Sequence, residues 1–241
     1  SVSNDFYELL LESKSLYKKL DGAWDPTLLS ISVNYGFNEG HDNFVKKNED
    51  TPYGLNYIQL LNDNVIIKKH PDIMLDLSSI AKGFAVDKLI QVFQIKKIDN
   101  AFVDIGGEIR SIGHSFSNDK WGVGIRSPND VSQVASVIYI NNMALATSGN
   151  YLNYKVIDSE IIGHILDPRT LSPINHNLIS VSVLAKTCTE ADAIATGLFV
   201  MGAEQASQWL DENNYAALLI VDNNGTSEHI MKNGFDRYLN P

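Results

Sequence analysis

Cysteine is nearly missing from this chain. Cys188 is the only one among 241 residues, so neither an internal disulfide nor a zinc cluster of several thiolates can form. Positive charge is also scarce: 19 lysines and arginines stand against 29 aspartates and glutamates, a formal balance of −10. A surface that binds nucleic acid releases counterions with clustered Lys and Arg, so this balance argues against a nucleic-acid partner. A small phosphorylated ligand stays open, because one basic residue, backbone N–H groups and a metal can hold it locally. No apolar run of about 18 residues occurs, so no membrane span is expected. No basic stretch followed by an apolar segment opens the chain, so a leader is expected to be absent from this sequence. Repeats, low-complexity tracts and a linker are missing too, and 44% hydrophobic residues supply a core. These features predict one domain over residues 1–241.

Periodicity supplies the elements. Phe6, Leu9, Leu10, Leu16, Tyr17 and Leu20 form a helical stripe that Asp21-Gly22 stops. Residues 23–53 read as loops with short elements. Tyr57–Leu61 and Val65–Lys69 read as a hairpin around Asn62-Asp63-Asn64. Ile73–Leu77 reads as a short strand running into a helix from Ser78-Ser79 to Phe93, a junction where free N–H groups favour phosphate. Strands are predicted over Ala101–Ile105, Glu108–Ile112, Trp121–Ile125, Val134–Ile140, Leu178–Ala185 and Ala216–Val221. A helix is predicted over Thr189–Met201, opened by a capping box at Thr189–Asp192, and a last one near Glu204–Leu210. The predicted class is α+β, a largely antiparallel sheet with packed helices.

Six segments concentrate glycine, small hydroxyl residues and acids: 22–27, 76–83, 104–110, 146–151, 164–170 and 187–197. Within them, Asp192 and Thr196 are four apart on a predicted helix and share a face, offering a carboxylate and a hydroxyl to one hard cation. They serve equally as a helix cap and a packed threonine. Lys82 is a point charge suited to phosphate, or a solvated helix residue. Gly106-Gly107 lets backbone approach a ligand, or makes a plain hairpin turn. Thr147-Ser148-Gly149 alone is a loop. His164 is a general base, a phosphate hydrogen-bond partner or a structural histidine.

In this order the six segments resemble the ApbE family, FAD-dependent FMN transferases, over roughly residues 6 to 205. The resemblance implies an ApbE-like (T-fold-like) domain and splitting of the FAD pyrophosphate. AMP leaves, and FMN is joined by a phosphoester to a threonine or serine of a target protein. It implies Mg²⁺ held by Asp192, Thr196 and the main-chain carbonyl of Ser79, and His164 near the reacting phosphate. It assigns FAD contacts to Ala23, Trp24, Asp25, Asp76, Lys82, Gly106, Gly107, Thr147, Ser148, Gly149 and Leu166. Asp167 is assigned to orienting its loop, and Arg169 to facing phosphate. The implied acceptor is a flavinylated protein such as a membrane redox complex subunit, at the periplasmic side or cell envelope of bacteria, where members are often lipoproteins. Hydrolysis of FAD to FMN and AMP, or flavin binding without turnover, are the alternatives.

Two departures from the family pattern stand out. Leu171 replaces the glycine that commonly follows the threonine of the Asp-Pro-x-Thr-Gly motif, and Tyr35-Gly36-Phe37 carries tyrosine where tryptophan is usual. The leader and first elements of a typical member are also missing from this sequence, which suggests a chain shortened at its N-terminus.

Overall fold

The computed structural model describes residues 1–37, 52–117, 119–128, 130, 132–149, 154–157 and 160–240. In chain order the first elements are α1 (Asn4–Lys19), α2 (Leu29–Asn34), β1 (Ile58–Leu61), β2 (Val65–Lys68), α3 (Ser78–Ile95), β3 (Ala101–Ile105) and β4 (Glu108–Ile112). Next come β5 (Trp121–Arg126), β6 (Val134–Ile140), β7 (Ala144–Gly149), β8 (Tyr154–Ile157), β9 (Glu160–Gly163), β10 (Leu166–Asp167) and β11 (Ser172–Pro173). The last are β12 (Leu178–Ala185), α4 (Cys188–Asn213), β13 (Ala217–Asn223) and β14 (Thr226–Lys232). The chain divides into two units, Ser1–Ser79 with Tyr154–Ile174, and Ile80–Asn153 with Asn175–Pro241.

In the first unit, α1 forms where the apolar stripe predicts it. Ser3 caps it by accepting the Phe6 N–H at 3.2 Å, and Lys18 and Lys19 occupy its last turn, where cations complement the helix dipole. It ends as Asp21 and Gly22 turn left-handed, with φ of 49° and 76°. The β1–β2 hairpin pairs Leu61 with Val65, and Asp63 and Asn64 take the positive φ its turn demands. Pairs β8–β9 and β10–β11 are likewise antiparallel. The strand predicted over Ile73–Leu77 does not form. Met74 makes a single parallel bridge to Leu28, and the Asp76 N–H donates to the Pro26 carbonyl at 2.7 Å, so a tie to the Trp24–Leu28 stretch replaces a ladder.

The second unit is built on a six-stranded sheet of order β14-β13-β12-β7-β4-β3, antiparallel throughout. Successive strand residues face opposite ways, so each face collects its own core. On one face Ala144, Ala146, Val103, Ile112 and Ala185 pack with Val86 and Ile90 of α3 and Cys188 and Ala191 of α4. The opposite face gathers Ile109, Leu145, Leu184, Leu218 and Ile220 beneath Val123, Ile125, Ile138 and Ile140 of the β5–β6 hairpin. Each fully buried Val, Leu or Ile contributes roughly 1.5–3 kcal/mol. The α+β expectation therefore holds, and burial on both faces explains why Leu178–Ala185 is apolar nearly throughout.

Three local readings need correction. Thr147-Ser148-Gly149 is strand, paired with Ser182, Val181 and Ser180 of β12, because its partners lie far along the chain. Asn150 and Tyr151 of the same segment lie outside the described residues. Helix α4 is capped by Thr187, whose hydroxyl accepts the Glu190 N–H at 3.3 Å, and not by Thr189. The two helices read at 189–201 and 204–210 are one element with a break at Gly202, whose φ and ψ are 76° and 170°. Beside that break His176 Nε2 donates to the Phe199 carbonyl at 2.8 Å.

Candidate active site

Each unit carries part of the assigned set. In the first, Ala23 and Trp24 are buried, and Trp24 Nε1 donates to Ser79 Oγ at 2.9 Å. Asp25 Oδ1 accepts from the Thr27 N–H at 2.9 Å and the Thr27 hydroxyl at 2.7 Å, and Thr27 Oγ1 accepts the Gly54 N–H. Burial raises the Asp25 carboxyl above its ordinary value, against the lowering effect of the Thr27 bonds. Asp76 Oδ1 accepts the Ser78 N–H at 2.9 Å and so satisfies a donor that the start of α3 leaves open.

His164 follows β9 directly and meets the Phe37 ring edge-on, centroids 6.4 Å apart. Leu166 turns into an apolar cluster with Leu28 and Ile31, joined by Tyr35, Tyr53 and Leu171. Arg169 holds Asp167 through two N–H groups, Nε at 2.9 Å to Oδ1 and Nη2 at 2.8 Å to Oδ2. Leu171 adopts φ 57° and donates its N–H to the Asp167 carbonyl at 2.8 Å. The left-handed backbone that a glycine would take freely is thus kept here by a leucine.

In the second unit the assigned residues lie on facing elements. Asp192 is 3% exposed, and its Oδ2 accepts the Gly83 N–H of α3 at 3.0 Å. A Cβ on Gly83 would overlap the backbone of Cys188 and Thr189, so glycine is what lets the two helices come this close. Burial first, and then the charge of Glu108, push the Asp192 carboxyl up to about 7. One turn later Thr196 donates its hydroxyl to the Asp192 carbonyl at 3.2 Å and lies 2.8 Å from the Ser148 hydroxyl. Thr147 and Ser182 share a hydroxyl contact at 2.8 Å. Gly106 and Gly107 form the tight β3–β4 turn, with φ of 67° and 103° and the Gly107 N–H on Asp104 Oδ1 at 2.9 Å.

Two acids were missed from the sequence. Glu108 is 2% exposed; its Oε1 lies 2.5 Å from Lys82 Nζ, and its buried Oε2 has no hydrogen-bond partner among the described residues. Burial raises its carboxyl and Lys82 counters that. Asp87, 5% exposed, accepts from Arg110 Nη1 at 2.6 Å, the Cys188 N–H at 2.9 Å, and the Thr189 N–H and hydroxyl at 2.8 and 2.6 Å. The available signal was position: Asp87 falls on the stripe of Ile80 and Phe84, where an acid must find partners.

Among the described residues no three or more His, Cys, Asp and Glu side chains form a metal-binding group. A closed cage is therefore not on offer. The chemistry available is that of a hard cation taking few acids, a hydroxyl, a carbonyl and waters, as Mg²⁺ does. The buried Asp192 beside Thr196, and the Glu108 oxygen that has no hydrogen-bond partner among the described residues, fit such an ion. Among the described residues no helix is long and apolar enough to cross a membrane.

Comparison with known proteins assigns the chain to a family. The model of the ApbE family matches residues 1–219. The FAD:protein FMN transferase of Haemophilus influenzae is 36% identical over 234 residues, which cover 91% of this chain and 67% of that protein. That of Vibrio cholerae is 33% identical over 246 residues, 99% of this chain and 73% of the relative. The chain thus spans about two thirds to three quarters of these relatives. Among solved structures, flavin transferase ApbE from Vibrio cholerae superposes with a TM-score of 0.83 at 31% identity, covering 99% of this chain and 78% of its own. The apo form of Pseudomonas stutzeri flavinyl transferase ApbE gives 0.86 at 27%, covering 99% and 76%. With sequence and fold matching along most of its length, the chain belongs to the ApbE family.

Proposed function

We infer that the protein is an FAD:protein FMN transferase, which splits the FAD pyrophosphate, releases AMP and joins FMN through a phosphoester to a threonine or serine hydroxyl of an acceptor protein. The observation that carries this reading is Asp192, a carboxylate 3% exposed on α4 with the Thr196 hydroxyl one turn away. An acid is kept at that depth only for a partner, and a divalent cation is the partner that this reaction needs.

Asp192, Thr196 and the main-chain carbonyl of Ser79 are the groups that would hold Mg²⁺. The ion, when bound, offsets the charge of the pyrophosphate and of the departing AMP. Lys82 supplies a point charge to a phosphate. His164, in its neutral form, takes the proton of the incoming hydroxyl. The FAD contacts are assigned to Ala23, Trp24, Asp25, Asp76, Leu166, Gly106, Gly107, Thr147, Ser148 and Gly149. The acceptor is a periplasmic or envelope-facing protein, such as a subunit of a membrane redox complex.

Incubation with FAD, Mg²⁺ and a flavin-acceptor domain tests the reading. Equal amounts of AMP and covalently fluorescent acceptor are expected. AMP released at the same rate without acceptor would make the protein a pyrophosphatase instead, and bound FAD with no AMP would leave it a flavin-binding protein.

A further inference from the structure

Lys82 and Gly83 are neighbours on α3, and each holds a different buried acid. The Lys82 ammonium lies 2.5 Å from Glu108 Oε1, and the Gly83 N–H donates to Asp192 Oδ2 at 3.0 Å. Two carboxylates from distant parts of the second unit, one on β4 and one on α4, are thereby gathered at one dipeptide. The group is unbalanced: two acids at 2% and 3% exposure share a single ammonium. It is also incomplete, because Glu108 Oε2 is buried and no donor among the described residues reaches it. An unmet buried carboxylate oxygen costs on the scale of a lost charged hydrogen bond, which a purely structural ion pair would not retain without a use. The turn above keeps space open. A Cβ at Gly106 would come to 3.8 Å from that oxygen and 3.9 Å from Lys82 Cδ, and glycine leaves this volume unfilled.

We propose that Glu108 is a further acidic group of the cation centre, with Lys82 as its stand-in cation: a hydrated divalent ion engages Glu108 as well as Asp192, and Lys82 is released to the anionic ligand. The exchange is one of charge. An ammonium carrying one positive charge gives way to an ion carrying two, which balances the two carboxylates. The freed ammonium then carries its charge to a phosphate group, so cation and pyrophosphate binding are coupled through one side chain. Glu108 acts on the ion directly or through a bound water, and its free oxygen serves either arrangement. This inference rests on the reading of Asp192 as a metal ligand.

Its test is Mg²⁺ binding to the cation-free protein, without FAD, read by calorimetric titration and by the Mg²⁺-induced rise in Tm. Glu108→Gln keeps the size and acceptor of the side chain and is expected to weaken Mg²⁺ about tenfold or more, the scale seen when groups supporting a metal are removed. Lys82→Met removes the competitor and is expected to tighten Mg²⁺, an effect that disappears in the double variant. A structural ion pair predicts only the smaller shifts that neighbouring charges make, which added salt screens. Unaltered Mg²⁺ affinity in folded Glu108→Gln, or equal or weaker affinity in Lys82→Met, overturns the proposal. Asp192→Ala separates the two levels: if it abolishes Mg²⁺ binding while Glu108→Gln does not, only this inference falls. If it too leaves affinity intact, the metal assignment itself falls. Should Glu108→Gln fail to fold, Lys82→Met decides alone.

Discussion

Asp87 Oδ1 accepts the backbone N–H of Cys188 at 2.9 Å, although the two residues stand 101 positions apart. Its other oxygen takes the N–H and hydroxyl of Thr189, so an acid of α3 caps the start of α4 from outside. All four partners are donors, which only a carboxylate can satisfy. Asp87→Asn is expected to cost about 3 kcal/mol, the lower end for breaking a buried charge pair, because Arg110 loses its charge partner and one of the two acceptor oxygens becomes an NH2 facing donors. Urea unfolding measures it, and a loss under 1 kcal/mol would sink the claim that this cap holds the helix. A readout specific to α4 exists in Cys188. The thiol is fully buried, and burial pushes it far above its usual range, so the folded protein should be inert to a thiol reagent at pH 8. In Asp87→Asn the labelling rate should rise well before global unfolding does.

Gly83→Ala separates propensity from packing. In a helix interior alanine is better than glycine by about 1 kcal/mol. Here the added Cβ would overlap the Cys188 and Thr189 backbone, and overpacking costs roughly 1–3 kcal/mol. Because the obstacle is main chain, the cost should win. A lower Tm and weaker Mg²⁺ binding are expected, the latter because the Gly83 N–H holds Asp192. A variant as stable as its parent would mean that α4 can slide away from α3.

Asp25→Asn should show a pH-dependent gain. Burial raises the Asp25 carboxyl, so its ionised form costs stability in the folded state, and the cost sets in as pH rises through the folded pKa. Asparagine keeps Oδ1 as acceptor for Thr27 and carries no charge. The variant should match the parent near pH 4 and be the more stable at pH 7, while binding FAD more weakly. Equilibrium unfolding at both pH values checks the sign; a less stable variant at pH 7 refutes it.

His164→Ala tests the proton acceptor. Removal of a general base typically lowers the rate by about 10² to 10⁴. Single-turnover transfer of FMN should slow by such a factor while FAD affinity holds. Unchanged transfer would return His164 to a packing role against Phe37.

Local chemistry was the part of this chain that its sequence spelled out. Asp21-Gly22 and Asn62-Asp63-Asn64 are residues suited to positive φ, and they stop a helix and close a hairpin as expected. Pairing across long separations was not legible. Thr147-Ser148-Gly149 has the small hydroxyl and glycine content of a loop, but β12 makes it a strand from more than thirty residues away. Thr187 and Thr189 are equivalent caps on paper, and Asp87 decides between them by taking Thr189 for itself. In the candidate site, helical spacing put Asp192 and Thr196 one turn apart, as they are, while the ion assigned to them came from the family resemblance. Glu108 went unassigned, since nothing next to it in the chain says that its partner is Lys82.

The break at Gly202 splits α4 mechanically. Upstream lies the half bearing Asp192 and Thr196, and its last turn is closed off by His176 on the Phe199 carbonyl. Downstream lies a half that ends at a left-handed Asn214. Fraying that begins at the far end has no continuous hydrogen-bond ladder to climb. The segment carrying the acid is insulated from it, as a beam is by an expansion joint.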